Sequence, residues 1–98
     1  MGIRNVKNDK EFTIALSGRL DTMTAPELEK EIKDNIEDVE LLVFDLEELA
    51  YISSAGLRVI LGAQKIMNKQ GEMIVKNVNE TVMEIFEITG FVDVLTIE

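Results

Sequence analysis

Two side chains that carry much of enzyme chemistry are missing from this sequence: its 98 residues include no cysteine and no histidine. Without cysteine there is no disulfide framework and no thiolate chemistry. Without histidine the commonest general base, the usual neutral metal ligand and the usual triad partner are gone. Both absences weigh against an enzyme. Long apolar runs are also absent. No uninterrupted run exceeds four residues, as at Leu41–Phe44, whereas a helix needs about 20 to cross a bilayer. The first residues show no charged leader, apolar segment and cleavage site, so a cytosolic, cytoplasmic location is expected. Basic side chains are scarce, 10 against 19 acidic ones, for a net charge of −9. That balance disfavours nucleic acid and anionic membrane surfaces as partners and permits a basic protein partner.

What is present is ordinary for a folded domain. Hydrophobic residues make up 46% and charged residues 30%, which implies neither disorder nor a membrane span. The length suits one domain over residues 1–98, built on one core.

The patterning reads as alternating strands and helices. Ile3–Lys7 alternates weakly, Asn8-Asp9-Lys10 is turn-like, and Phe12, Ile14 and Leu16 alternate with smaller or polar residues, which predicts a β-hairpin. Thr24-Ala25-Pro26-Glu27 reads as a helix start, with Thr24 as the cap and Glu27 closing a capping box. Leu28, Ile32 and Ile36 continue the apolar stripe. Leu41–Phe44 lacks alternation and is expected to be a central strand covered on both faces. A short loop then leads to Ser53-Ser54, where Gly56, Val59, Ile60, Ala63 and Met67 set a helical period that Gly71 stops.

Met73–Val75 predicts a strand. Glu80–Thr89 predicts a helix with Val82, Ile85, Phe86 and Thr89 inward, ended by Gly90. Phe91–Ile97 reads as a last strand. The expected fold is α/β, a mostly parallel central sheet of four to five strands with about three helices, in the order β-β-α-β-α-β-α-β.

Two candidate sites remain. At Ser53-Ser54 a hydroxyl can cap the helix, and the same unpaired amides and dipole end also tolerate an added phosphate. In the acidic set Asp21, Asp45, Glu47 and Glu48, the first two follow strands and are expected at the carboxyl edge of the sheet. Paired there, they can act as acid and base or hold magnesium; unpaired, they are loop and cap residues. Gly56 and Gly62 form no phosphate-binding glycine pattern, and Gly56 is expected to permit close helix-to-sheet approach. No cofactor and no structural or catalytic metal is expected.

The stretch Leu46-Glu47-Glu48-Leu49-Ala50-Tyr51-Ile52-Ser53-Ser54-Ala55-Gly56-Leu57 resembles the signature of the STAS family of bacterial anti-sigma factor antagonists. Gly18-Arg19-Leu20-Asp21 with Thr24-Ala25 resembles that family's second motif. The late Gly71-Glu72-Met73 and the segment from Phe86 to Phe91 fit its final elements.

The resemblance implies a single STAS-like domain that acts by partner switching. Unphosphorylated, it binds an anti-sigma factor that is also a serine kinase and so frees the sigma factor. Phosphorylation abolishes binding, and a serine phosphatase reverses it. The acceptor lies two positions before the motif glycine, hence Ser54, with Ser53 the second choice. The implied docking surface comprises Asp21, Thr22, Ser53, Ser54, Ala55, Gly56, Leu57 and Arg58. The chain departs from the family pattern at Ser53, where aspartate is common, and at Ala55, where a hydroxyl residue is common. An alternative within the same fold is a constitutive scaffold or sensory-complex subunit that binds partners without a switch.

Overall fold

The computed structural model describes residues 1–98. Strand β1 (Gly2–Asn8) turns back through Asp9 and Lys10 into β2 (Glu11–Leu20) as the expected antiparallel hairpin. Helix α1 (Ala25–Asn35) crosses to β3 (Leu41–Ile52), and helix α2 (Ser54–Gln70) crosses to β4 (Glu72–Lys76), both returns running parallel. Helix α3 (Glu80–Thr89) and a 3-10 turn (Phe91–Asp93) close the chain. The sheet order is β1-β2-β3-β4.

Phe12, Ile14, Leu16, Leu42, Phe44 and Val75 point to one face and join Leu28, Ile32, Ile60, Met67 and Phe86 from the helices in a single core cluster. That burial is the main drive for the two-layer arrangement. Five expectations need correction. First, β3 is not covered on both faces. Val43 is buried but lies outside the core cluster, flanked on the neighbouring strands by Thr13 and Ile74. Its face carries no helix and is otherwise half-buried or exposed, with Val6, Arg4, Glu72 and Lys76 along it.

Second, no loop separates the buried strand from the serines: β3 continues to Ile52. Its pairing with β2 slips twice, so that Ala15 and Ser17 meet Asp45 and Glu48, then Gly18 and Arg19 meet Leu49 and Tyr51. Such bulges place the inward residues at Phe44, Leu46, Leu49 and Ile52, a spacing of two and then three residues. Third, the expected last strand is reduced to one parallel bridge between Ile97 and Val75. Gly90, in the left-handed region at φ 80, ends α3 and turns the chain directly into the 3-10 turn.

Fourth, Thr89 is exposed, its hydroxyl donating to the Ile85 carbonyl at 2.7 Å instead of facing the core. The start of α1 also differs from the capping box. Thr24 makes no cap bond to the helix; its hydroxyl donates to the Arg19 carbonyl and accepts from the Asp21 amide, both at 2.9 Å. Asp21 closes the turn before the helix, its Oδ1 accepting from the Met23 and Thr24 amides at 3.0 and 3.2 Å. The Thr24 hydroxyl is already engaged on both sides, and the Glu27 amide it would have capped goes to the Thr24 carbonyl at 3.1 Å instead.

Candidate functional site at the start of helix α2

The two parallel strands β2 and β3 end together, at Leu20 and Ile52, and α2 begins on top of them. The Ser53 amide donates to the Leu20 carbonyl at 2.9 Å, which places Asp21 beside the serines. Gly56 lets the helix sit this low. A Cβ there would stand 2.6 Å from Leu20 Cγ and 2.9 Å from Ile52 Cγ1, inside any tolerable contact.

The structure gives the two serines different tasks. Ser53 is the N-cap, extended in backbone, with Oγ accepting from the Gly56 amide at 3.4 Å. Ser54 is the first helical residue and is exposed. Of the donors orphaned at a helix start, the Ser53 amide is taken by Leu20 and the Gly56 amide by Ser53. No hydrogen bond outside the helices and strands engages the Ser54 or Ala55 amide. No acidic residue occupies the first turn of this helix. An anion placed on Ser54 therefore meets free donors and the positive end of the dipole.

The other expected site residues divide by depth. Thr22 and Arg58 are exposed, Asp21, Ser53 and Ala55 half-buried. Gly56 and Leu57, expected on the docking surface, face the core instead; their part is to seat the helix. Thr22, Ala55 and Arg58 line a groove of about 200 Å³ with Ala25, Pro26 and Val59, between α1 and α2. A larger, open depression of about 570 Å³ lies at the amino ends of the parallel strands, among Lys10, Glu40 and Glu72. It is remote from the serines.

Burial raises the pKa of the Asp21 carboxyl, but the Met23 and Thr24 amides, the Thr24 hydroxyl and the Arg19 charge outweigh it and hold the group below the ordinary aspartate value. Arg19, 3.9 Å from Asp21, also lies over the Tyr51 ring at 4.4 Å from its centroid. This cation–π contact fixes the ends of β2 and β3 beside the serines. Sequence reasoning missed it because the register slip that pairs Arg19 with Tyr51 cannot be read from either strand alone.

The expected carboxylate pair is not assembled. Asp45 pairs in register with Ala15 and Lys76 on the uncovered sheet face, six residues before Asp21 along the strand direction, or about 20 Å. It is bound there by Asn77 Nδ2 at 3.1 Å and by the Glu47 amide. Burial again works against ionisation, but Asn77, the Glu47 amide, Lys76 and Arg4 keep its pKa low. Glu47 and Glu48 are exposed, Glu48 facing Arg4 at 3.9 Å. No three carboxylates converge in a way that would hold a metal ion.

Comparison with known proteins supports the fold. The family model for the STAS domain matches residues 3–98. The chain belongs to the STAS domain family. A Bordetella bronchiseptica protein, BtrV, is 37% identical over 93 residues, covering 93% of this chain and 80% of its own. The anti-sigma-B factor antagonist of Bacillus subtilis is 29% identical over 92 residues, covering 93% of this chain and 84% of its own. Among solved structures, the anti-sigma factor antagonist SpoIIAA in its unphosphorylated form superposes with a TM-score of 0.86 at 21% identity, covering 99% of this chain and 88% of its own. The phosphorylated form of SpoIIAA from Bacillus superposes at 0.78 and 20% identity, covering 99% and 91%. Within this STAS fold, no helix is long and apolar enough to cross a membrane.

Proposed function

We propose that this chain is an anti-sigma factor antagonist of the partner-switching kind: unphosphorylated, it binds an anti-sigma factor that is also a serine kinase, and phosphorylation of Ser54 ends the binding. The observation that carries the reading is the division of labour between the serines. Ser53 is engaged as the cap, so its modification would sacrifice a structural bond. Ser54 is exposed at the first turn, where a phosphate adds about two negative charges without opposing the helix dipole.

The fold therefore tolerates the modification while the docking surface changes. Pressed against a partner, the phosphate must be desolvated and meets any carboxylate opposite it, both unfavourable. Thr22, Ser54 and Arg58 form the exposed part of that surface, with Asp21, Ser53 and Ala55 at its base. The role is regulatory and not enzymatic, cytoplasmic, and reversed by a serine phosphatase. The names of the Bacillus relative and of SpoIIAA, solved in both states, support this reading.

The test is to incubate the protein with ATP and its anti-sigma factor kinase and map the product by mass spectrometry. Modification of Ser54 is expected. A product at another residue, or none, defeats the assignment. A complex that forms equally well with Ser54→Asp would favour a constitutive scaffold.

A further inference from the structure

The charge of this protein is unevenly distributed. Helix α2 carries Arg58, Lys65 and Lys69 and no acidic residue. Removing its +3 from the chain's −9 leaves −12 on everything else. Six basic residues elsewhere, Arg4, Lys7, Lys10, Arg19, Lys30 and Lys33, each face a carboxylate within 4 Å. Arg58, Lys65 and Lys69 are in none of these pairs, nor is the tenth, Lys76, which stands alone on the uncovered sheet face in register with Asp45. Glu29, which shares the α1/α2 groove with Arg58, is itself engaged by Lys33 at 3.7 Å.

The three cations are also aligned. At about 100° per residue, Arg58, Lys65 and Lys69 fall within about 60° of the helix circumference, opposite the buried stripe of Gly56, Ile60, Ala63 and Met67. Ser54 stands in the same strip, at its amino end and one turn before Arg58. All four residues are exposed. The strip is about 22 Å long at 1.5 Å per residue, the span of a protein contact.

We infer that this strip docks an acidic protein surface and that phosphate on Ser54 discharges it, drawing Arg58 away from the partner. The second half rests on the Ser54 reading; the first does not. An unpaired cationic row on a strongly anionic molecule selects a local acidic patch, because an extended polyanion such as DNA or an anionic bilayer also meets the −12 around it. Glutamate or aspartate of a partner accounts for the complementarity. With the phosphate in place, its two charges oppose the three cations, and the i,i+4 spacing lets the Arg58 guanidinium pair with it within the same helix.

A short glutamate peptide of about six residues, no longer than the strip when extended, serves as the acidic probe, followed by amide NMR shifts of the whole protein at low salt. The expected shifts trace Ser54, Arg58, Lys65 and Lys69, weaken about tenfold in K65E/K69E, and vanish near 1 M salt, where the screening length is about 3 Å. Both lysines are exposed, and an unchanged circular dichroism spectrum checks that the variant folds. Shifts centred elsewhere, insensitivity to K65E/K69E, or stronger binding to duplex DNA or phosphatidylglycerol vesicles would overturn the docking assignment.

For the second half, phosphoserine is installed at position 54 during translation, so no kinase is involved. Loss of glutamate-peptide binding is expected, together with a phosphate ionisation in ³¹P titration that lies lower than in the same protein carrying R58Q. Equal midpoints would overturn the Arg58 pairing. Ser54-dependent binding of the anti-sigma factor without any glutamate-peptide binding would sink the acidic docking and leave the switch standing.

Discussion

Replacing Ser53 and Ser54 by alanine, one at a time, separates the capping serine from the exposed one. A lost N-cap costs about 0.5–2 kcal/mol. The Ser53 bond to the Gly56 amide is long, 3.4 Å, which places Ser53→Ala in the lower half of that range, at about 0.5–1 kcal/mol. For a domain of this length the unfolding entropy is about 0.2 kcal/mol/K, so Tm should fall by about 2–5 °C. Ser54 makes no cap bond and sits in helical geometry, where alanine is favoured by a few tenths of a kcal/mol. Ser54→Ala should leave Tm unchanged or slightly raised, and Ser54→Asp should add about 0.3–1 kcal/mol through the dipole. Urea and thermal unfolding followed by circular dichroism measure all three. A larger loss in Ser54→Ala than in Ser53→Ala would refute the assignment of roles.

Other perturbations probe the supports of the site. Asn79 caps α3 by accepting from the Val82 amide at 2.9 Å and donates to the Leu49 carbonyl, tying α3 to the bulged end of β3. Asn79→Ala should cost about 2–3 kcal/mol, a cap plus an orphaned carbonyl, and Asn79→Asp, which keeps the cap and loses the donor, about half; equal urea midpoints would refute the tie. Asp21 has a depressed folded-state pKa. Its contribution to stability is therefore full above the ordinary aspartate pKa and lost as pH falls through the depressed value. Asp21→Asn keeps an acceptor for Met23 and Thr24 but cannot titrate, so its stability profile should be flatter over that acid range; parallel profiles would contradict the hydrogen bonding described.

The elements that sequence made legible are those whose period one packing face sets. The stripe Leu28, Ile32, Ile36 and the alternation Phe12, Ile14, Leu16 both face the core, and their pattern survives because nothing interrupts the helix or strand. Strand β3 was legible only to Asp45. Beyond it the bulges stretch the inward spacing to three residues, at Leu46, Leu49 and Ile52, which imitates a loop. Leu41–Phe44 misled differently. Val43 is covered by strand neighbours and not by a helix, and an unalternating run cannot distinguish the two. At Thr24 the capping pattern marks the helix start correctly, but the hydroxyl's engagement with Arg19 and Asp21 depends on where β2 ends.

Of the candidate site, the serine junction and Gly56 were readable because both follow from local helix geometry. Which serine caps was not, since it depends on the Ser53 amide meeting Leu20. The cationic strip was present as three basic and no acidic residues in α2; its lack of ion-pair partners needed the fold. Asp21 and Asp45 are similar in sequence context, both at apparent strand ends, yet the extension of β3 moved Asp45 to the middle of the uncovered face.

The central claim is that one phosphate on Ser54 separates two states of docking. Isothermal titration of the cognate anti-sigma factor with the unmodified protein and with the same protein carrying phosphoserine at position 54 tests it directly. Saturable binding is predicted for the first and a loss of about 100-fold or more, beyond 2.7 kcal/mol, for the second. Equal affinities, with both forms folded, would contradict the account.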